Sequence, residues 1–123
     1  MPDAPYHILL IDDDPDMHDV VRLILPPPSY RVTCCATTAA GSSVLGAERP
    51  DALLLDIMLA TPTEGLEFAR RLEHDPQLGG IPIILISSAP LENPGQVPAG
   101  VAGFIEKPLQ ARDLREFLRE VLR

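Results

Sequence analysis

Lys107 is the sole lysine in a chain whose other cationic side chains are all arginine. It stands in Phe104-Ile105-Glu106-Lys107-Pro108, directly after a short apolar run. A compact, strongly hydrated ammonium on a flexible stem does a different job from a planar guanidinium fork. Two acidic features stand in similar positions. Asp12-Asp13-Asp14 follow the run Ile8–Ile11, and Asp56 ends Leu53-Leu54-Leu55. A hydroxyl, Ser87, closes the run that ends at Ile86. Carboxylates gathered at one place repel and raise one another's pKa values unless a cation holds them. Hard oxygen donors with room for water suit Mg²⁺. An ammonium and a hydroxyl facing that cation complete a cradle for a phosphoryl group. One of the carboxylates can then be a nucleophile, and Asp56, with no neighbouring acid, is the candidate.

The elements that must position these groups follow from hydrophobic periodicity. Five apolar runs, His7–Ile11, Tyr30–Cys35, Ala52–Leu55, Ile81–Ile86 and Gly103–Ile105, alternate with helical patterns. Several are almost continuously aliphatic, as strands buried on both faces of a parallel sheet are. Asp14 caps the first helix and Pro15 suits its first position, where no N–H is needed. Met17, Val20, Val21 and Ile24 form one apolar stripe, and Pro26-Pro27-Pro28 end it. Helices are expected at Thr38–Glu48, at Glu64–His74 and at Ala111–Leu122, the last with Leu114, Phe117, Leu118 and Val121 on one face. Between Ser88 and Gly103 the prolines leave room for a turn or two of a fourth helix at most. The expected fold is an α/β doubly wound sandwich, a five-stranded parallel sheet with right-handed crossovers and helices on both faces. Such sheets gather their functional groups at the carboxyl ends of the strands. Four strands then deliver Asp12 and Asp13, Asp56, Ser87 and Lys107 to one edge.

Bulk properties fit one domain spanning 1–123, with enough chain for a core. A net charge of −8 argues against direct binding to nucleic acid or an anionic membrane. No apolar stretch reaches the roughly 20 residues that span a bilayer, and residues 1–5 do not read as a signal peptide, so a cytoplasmic location is expected. Cys34 and Cys35 are too few and too close for a disulfide framework or a metal site. His7, His18 and His74 are scattered away from the strand ends, which argues against a phosphohistidine or a metal role.

Taken in order, Ile-Leu-Leu-Ile-Asp12-Asp13-Asp14-Pro15, Leu-Leu-Leu-Asp56-Ile-Met58, Pro82-Ile-Ile-Leu-Ile-Ser87-Ser88 and Phe104-Ile-Glu-Lys107-Pro108 resemble the CheY-like receiver domains of bacterial response regulators. The resemblance covers essentially the whole chain and implies the flavodoxin-like strand order 2-1-3-4-5. It implies that Asp56 accepts a phosphoryl group from a histidine kinase or phosphotransfer protein, with Mg²⁺ as cofactor. It implies that Asp13 binds the metal directly, Asp12 largely through water, and the Met58 backbone carbonyl as a further ligand. Ser87 and Lys107 would bind phosphoryl oxygens, Phe104 would be the aromatic that swings inward on activation, and Pro108 would follow a cis peptide. The surface formed by the fourth helix, fifth strand and last helix would change for an output domain or target protein. Met58 and Ala89 would flank the path of a hydrolytic water. The chain would be a switch, not an enzyme acting on external substrates.

Two departures stand out. The loop after Asp56 places Pro62 six residues and Gly65 nine residues on, where the family pattern has four and eight. One residue must bulge, which bears on the Met58 carbonyl. The proline-broken segment at 88–100 falls in a partner-reading region. Two other readings stay open: a degenerate receiver that serves only as an interaction module, and a haloacid-dehalogenase-like phosphatase built on the Asp-x-Asp at Asp12. The second expects a small turn where Pro15 stands, and usually a longer chain.

Overall fold

The computed structural model describes residues 5–90, 95 and 97–122. Five strands, β1 (Tyr6–Ile11), β2 (Tyr30–Cys35), β3 (Ala52–Asp56), β4 (Ile83–Ser87) and β5 (Val101–Glu106), form one sheet of order β2-β1-β3-β4-β5. All four pairings are parallel. Among the described residues the helices are α1 (Pro15–Ile24), α2 (Thr38–Ala47), α3 (Glu64–Glu73) and α4 (Ala111–Val121). The parallel sheet is the one expected from the alternation, and its order is the flavodoxin-like one the resemblance implied. The expected short helix within 88–100 lies partly on residues 91–94 and 96, outside the described residues, and the described residues there hold no α-helix.

The strand side chains divide by parity between two cores. Ile8, Leu10, Leu54, Ile84 and Ile86 pack with Met17, Val21 and Ile24 of α1 and with Leu114 and Leu118 of α4. Leu9, Ile11, Leu53, Leu55 and Leu85 pack with Leu45 of α2 and with Leu66, Phe68 and Leu72 of α3. Both faces are covered, so β3 and β4 are buried along their whole length. Arg115 fixes α4 to α1, its Nε and Nη2 both donating to the Ile24 carbonyl at the end of α1, each at 3.2 Å.

Local chemistry sets the element ends. Asp14 caps α1, its Oδ1 accepting from Asp16 N–H at 2.9 Å, and Pro15 occupies the first turn. Thr37 caps α2 in the same way through Ala40 N–H. Strand β4 begins at Ile83, two residues later than its apolar run, because Pro82 has no N–H to donate; its carbonyl still accepts from Leu53 N–H at 2.9 Å. Strand β5 begins two residues earlier than its aliphatic signal. Ile83 pairs with Val101 and Ile84 with Gly103, so a register irregularity skips Ala102 and conceals the strand's start.

The sharpest steric constraint lies where α3 meets the end of β3. A Cβ on Gly65 would come 2.1 Å from the Asp56 carbonyl oxygen and 2.5 Å from Ile57 Cα. Backbone cannot yield as a flexible side chain can, so glycine is required for this close approach. Gly46, exposed in α2, has nothing within 4 Å of the same construction. Urea unfolding of the two alanine variants should therefore diverge. Gly65→Ala should lose about 2 kcal/mol or more through overpacking. Gly46→Ala should gain about 0.5–1 kcal/mol from helix propensity. Equal effects would contradict this packing.

Candidate functional site

Strands β1, β3, β4 and β5 end at one edge of the sheet, and the ladder continues one step beyond them. Asp12 N–H donates to the Cys35 carbonyl at 3.0 Å, Ile57 N–H to Ile86 at 3.0 Å and Lys107 N–H to Ser87 at 2.7 Å. Those bonds hold the polar residues at the rim with backbone precision. The Lys107–Pro108 peptide is cis, as the resemblance implied.

The ammonium of Lys107 joins two buried acids. Its Nζ lies 3.1 Å from Asp56 Oδ2, which accepts a hydrogen bond, and 3.0 Å from Asp12 Oδ2. The second contact is an ion pair without hydrogen-bond alignment, and Asp12 Oδ2 is left buried with no hydrogen-bond partner. Asp12 is fully buried, Asp56 and Ser87 nearly so, and Asp13 is exposed. Burial pushes the Asp56 carboxyl above the usual carboxylate range, and the neighbouring Asp12 adds to the rise. The Lys107 hydrogen bond and charge work against it. Burial opposes the charge on Lys107, yet its close contacts with the carboxylates of Asp12 and Asp56 raise its pKa. The lysine therefore stays charged, and the buried carboxylates outnumber it.

Asp56 Oδ1 accepts from Met58 N–H at 3.1 Å, while the Met58 side chain is 42% exposed beside the site. Ser87 Oγ accepts from Ala89 N–H at 3.1 Å, an arrangement that leaves the hydroxyl proton to donate elsewhere. Phe104 sits opposite Leu85 in the β4–β5 pairing and packs, half-buried, on the core shared with α2 and α3. Asp14 is a helix cap, as expected.

Carboxylate oxygens of Asp12, Asp13 and Asp56 all lie within 4.8 Å of one another. Mg²⁺ holds its donors at about 2.1 Å, so two of them stand at most about 4.2 Å apart. Small side-chain rotations close that difference. Asp12 Oδ2, buried and ion-paired to Lys107 but without an aligned hydrogen bond, is the kind of acceptor a further cation satisfies. The donor set fits a hard divalent ion.

The lengthened loop after Asp56 is tied down at several points. Gly65 N–H donates to the Ile57 carbonyl at 2.9 Å and so brings the loop back to its start. Within the loop, Leu59 N–H donates to the Thr61 carbonyl at 3.2 Å. Glu64 then clamps the loop. Its Oε1 accepts from Ala60 N–H at 2.9 Å and its Oε2 from the Thr38 hydroxyl of α2 at 2.7 Å. Sequence reasoning missed Glu64 because its partners lie on a neighbouring helix and in its own loop. It also passed over His18, whose Nε2 is 2.6 Å from the Asp12 carbonyl oxygen. His7 is buried at the other end of β1, where its Nε2 meets Thr33 Oγ1 at 2.8 Å. His74 ends α3.

The sequence profile of the response regulator receiver domain matches residues 8–119. Over 118 residues the chain is 34% identical to the phosphate regulon transcriptional regulatory protein PhoB of Pseudomonas aeruginosa, covering 94% of this chain and 51% of that protein. It is equally similar, at 34% over 120 residues, to the regulatory protein VirG of Agrobacterium fabrum, covering 95% of this chain and 46% of that one. The chain thus spans about half the length of the curated relatives it matches. A CheY-like response regulator receiver domain protein from Methanospirillum hungatei matches in structure with a TM-score of 0.84 at 31% identity, over 97% of this chain and 94% of that one. The receiver domain of a sensor histidine kinase from Pseudomonas aeruginosa PAO1, solved with a magnesium ion coordinated in its active site cleft, matches at a TM-score of 0.80 and 26% identity, over 96% and 98% of the two chains. Sheet order, the acids and lysine at its carboxyl edge, and a profile that takes in all of them agree: the chain belongs to the response regulator receiver domain family of two-component signalling.

Proposed function

We propose that this receiver domain is a phosphorylation switch in which Asp56 accepts a phosphoryl group from a histidine kinase or phosphotransfer protein in a Mg²⁺-dependent reaction. One observation carries the reading. Asp56 is buried, held by Lys107 at 3.1 Å, and adjoins an Asp12 oxygen that has no hydrogen-bond partner. An interaction module without phosphorylation has no need for that arrangement.

Mg²⁺ held by Asp12, Asp13, Asp56 and the Met58 carbonyl would neutralise charge on the transferred group and orient it. An Asp56 carboxylate oxygen attacks phosphorus in line. The O–P bond forms as the donor's P–N bond breaks, and the electron pair leaves with the donor imidazole. Lys107, already shared between two carboxylates, can turn toward a phosphoryl oxygen without leaving the acidic cluster. Ser87 donates its hydroxyl proton to another phosphoryl oxygen. Its movement toward the phosphate frees space that the half-buried Phe104 can fill, and the packing around β5 changes with it. The switched surface would be read by an output domain or a target protein. Several relatives are transcriptional regulators, and the net charge of −8 argues against direct DNA binding by this domain itself. Among the described residues no helix is long and apolar enough to cross a membrane. On this reading the chain turns over no external substrate; it gains a phosphoryl group and loses it to water.

Incubation with acetyl phosphate and Mg²⁺ should add one phosphoryl group to the wild type and none to Asp56→Asn. Equal incorporation by the variant would contradict the assignment, and a label on Asp12 would favour the phosphatase reading.

Met58 governs the lifetime of the phosphorylated state on the same reading. Its exposed, flexible side chain stands beside Asp56, and neither it nor Ala89 offers an amide or acid to orient water. Met58→Asn should speed phosphate release about tenfold, the value of one well-placed hydrogen bond of roughly 1.4 kcal/mol. An unchanged or slower release would show that Met58 does not shield the site.

A further inference from the structure

We propose that His18 is a positioning residue for the acidic turn: its Nε2–H holds the Asp12 carbonyl and so aims Asp13 at the cation. The inference rests on the metal-dependent function proposed above. His18 lies in the first turns of α1, half-buried, with Nε2 at 2.6 Å from the Asp12 oxygen. A carbonyl only accepts, so this contact fixes the tautomer with the proton on Nε2.

The carbonyl in question belongs to the peptide that links Asp12 to Asp13. A peptide is planar, so holding its oxygen sets the direction of the Asp13 N–Cα bond as well. Asp12 is already restrained at two other points. Its N–H donates to the Cys35 carbonyl at 3.0 Å, and its Oδ1 accepts from Asp14 N–H at 2.9 Å. The second of these closes an Asx turn across the Asp12–Asp13 peptide and restrains it through the Asp12 side chain. The bond from His18 grips the same peptide by its carbonyl, so the aim of Asp13, exposed at the turn, is set by the two together.

The pairing also explains why the side chain is on this helix position. His18 N–H bonds to the Asp14 carbonyl at 3.3 Å, which seats its backbone directly over the turn. From there the ring reaches back across the helix start. The histidine is thus neither a ligand nor a phosphoacceptor. It acts through the backbone of the residues that are expected to bind.

Mg²⁺ titration of the metal-free chain at one fixed pH, followed by amide NMR, tests the proposal with wild type, His18→Ala and His18→Gln. Outer-sphere partners of metal ligands typically govern affinity at the level of about tenfold, and His18→Ala should weaken Mg²⁺ binding by that much. His18→Gln, whose side-chain N–H can reach the same carbonyl, should bind close to wild type and restore the Asp13 amide shift. Equal affinity of wild type and His18→Ala overturns the positioning role while leaving the proposed function standing. Equal weakening by both variants also overturns it, because bulk and not the donor would then matter. A wild type without any Mg²⁺ response overturns the metal-dependent reading and this inference together. His18→Leu, which keeps bulk without a donor, replaces the alanine variant if that one does not fold.

Discussion

One ammonium shared between two buried carboxylates is the interaction on which the rest of this molecule depends. Lys107 is 3.0 Å from Asp12 and 3.1 Å from Asp56, at the end of a sheet whose central strands are buried on both faces. Taking charges out of water is costly unless each is compensated, and here compensation is incomplete. Two buried acids and an exposed third face a single lysine. Burial, with Asp12 adding to it, holds Asp56 above the usual carboxylate range, and an Asp12 oxygen is left without a hydrogen bond. The fold holds the groups together in spite of this, through ladder bonds that run one step past each strand end.

That unrelieved charge links structure to function. A site already satisfied would have little to gain from a cation or a phosphoryl group. On the proposed reading a frustrated one would respond to both, the cation relieving the surplus of carboxylate and the phosphoryl group engaging the donors on Lys107 and Ser87. The supporting shell consists of residues with ordinary structural jobs. Gly65 lets α3 approach the Asp56 carbonyl, Glu64 secures the lengthened loop, and His18 grips the acidic turn.

The sequence made the frame legible wherever side-chain chemistry and local geometry coincide. Asp14 and Pro15 announced α1, and the aliphatic runs announced β1, β3 and β4. Alternation implied a parallel sheet with its polar residues at the carboxyl ends of the strands, and the family resemblance supplied the strand order that brings Asp12, Asp56 and Lys107 together. What stayed hidden depends on partners far along the chain or on the backbone. The start of β5 is masked by a register irregularity at Ala102, and that of β4 by a proline that accepts but cannot donate. Glu64 reads as an ordinary first-turn acid until α2 is placed beside it. His18 reads as a stray histidine because its partner is a carbonyl, a group that every residue carries. The resemblance of the motifs pointed to the site; it could not show that Glu64 ties the lengthened loop to Ala60 and Thr38.

Stability across pH, with and without Mg²⁺, tests the charge imbalance most directly. A carboxyl whose folded pKa is raised above its unfolded value of 3.8 destabilises the fold at pH values above both, and that cost disappears as pH falls below both. Denaturant unfolding of wild type and Asp56→Asn should accordingly show the variant more stable in metal-free buffer at pH 7, with the gap closing as pH falls toward 4. Mg²⁺ should raise the stability of the wild type and do little for the variant. A variant less stable than wild type at pH 7, or an equal Mg²⁺ response from both, would contradict the account.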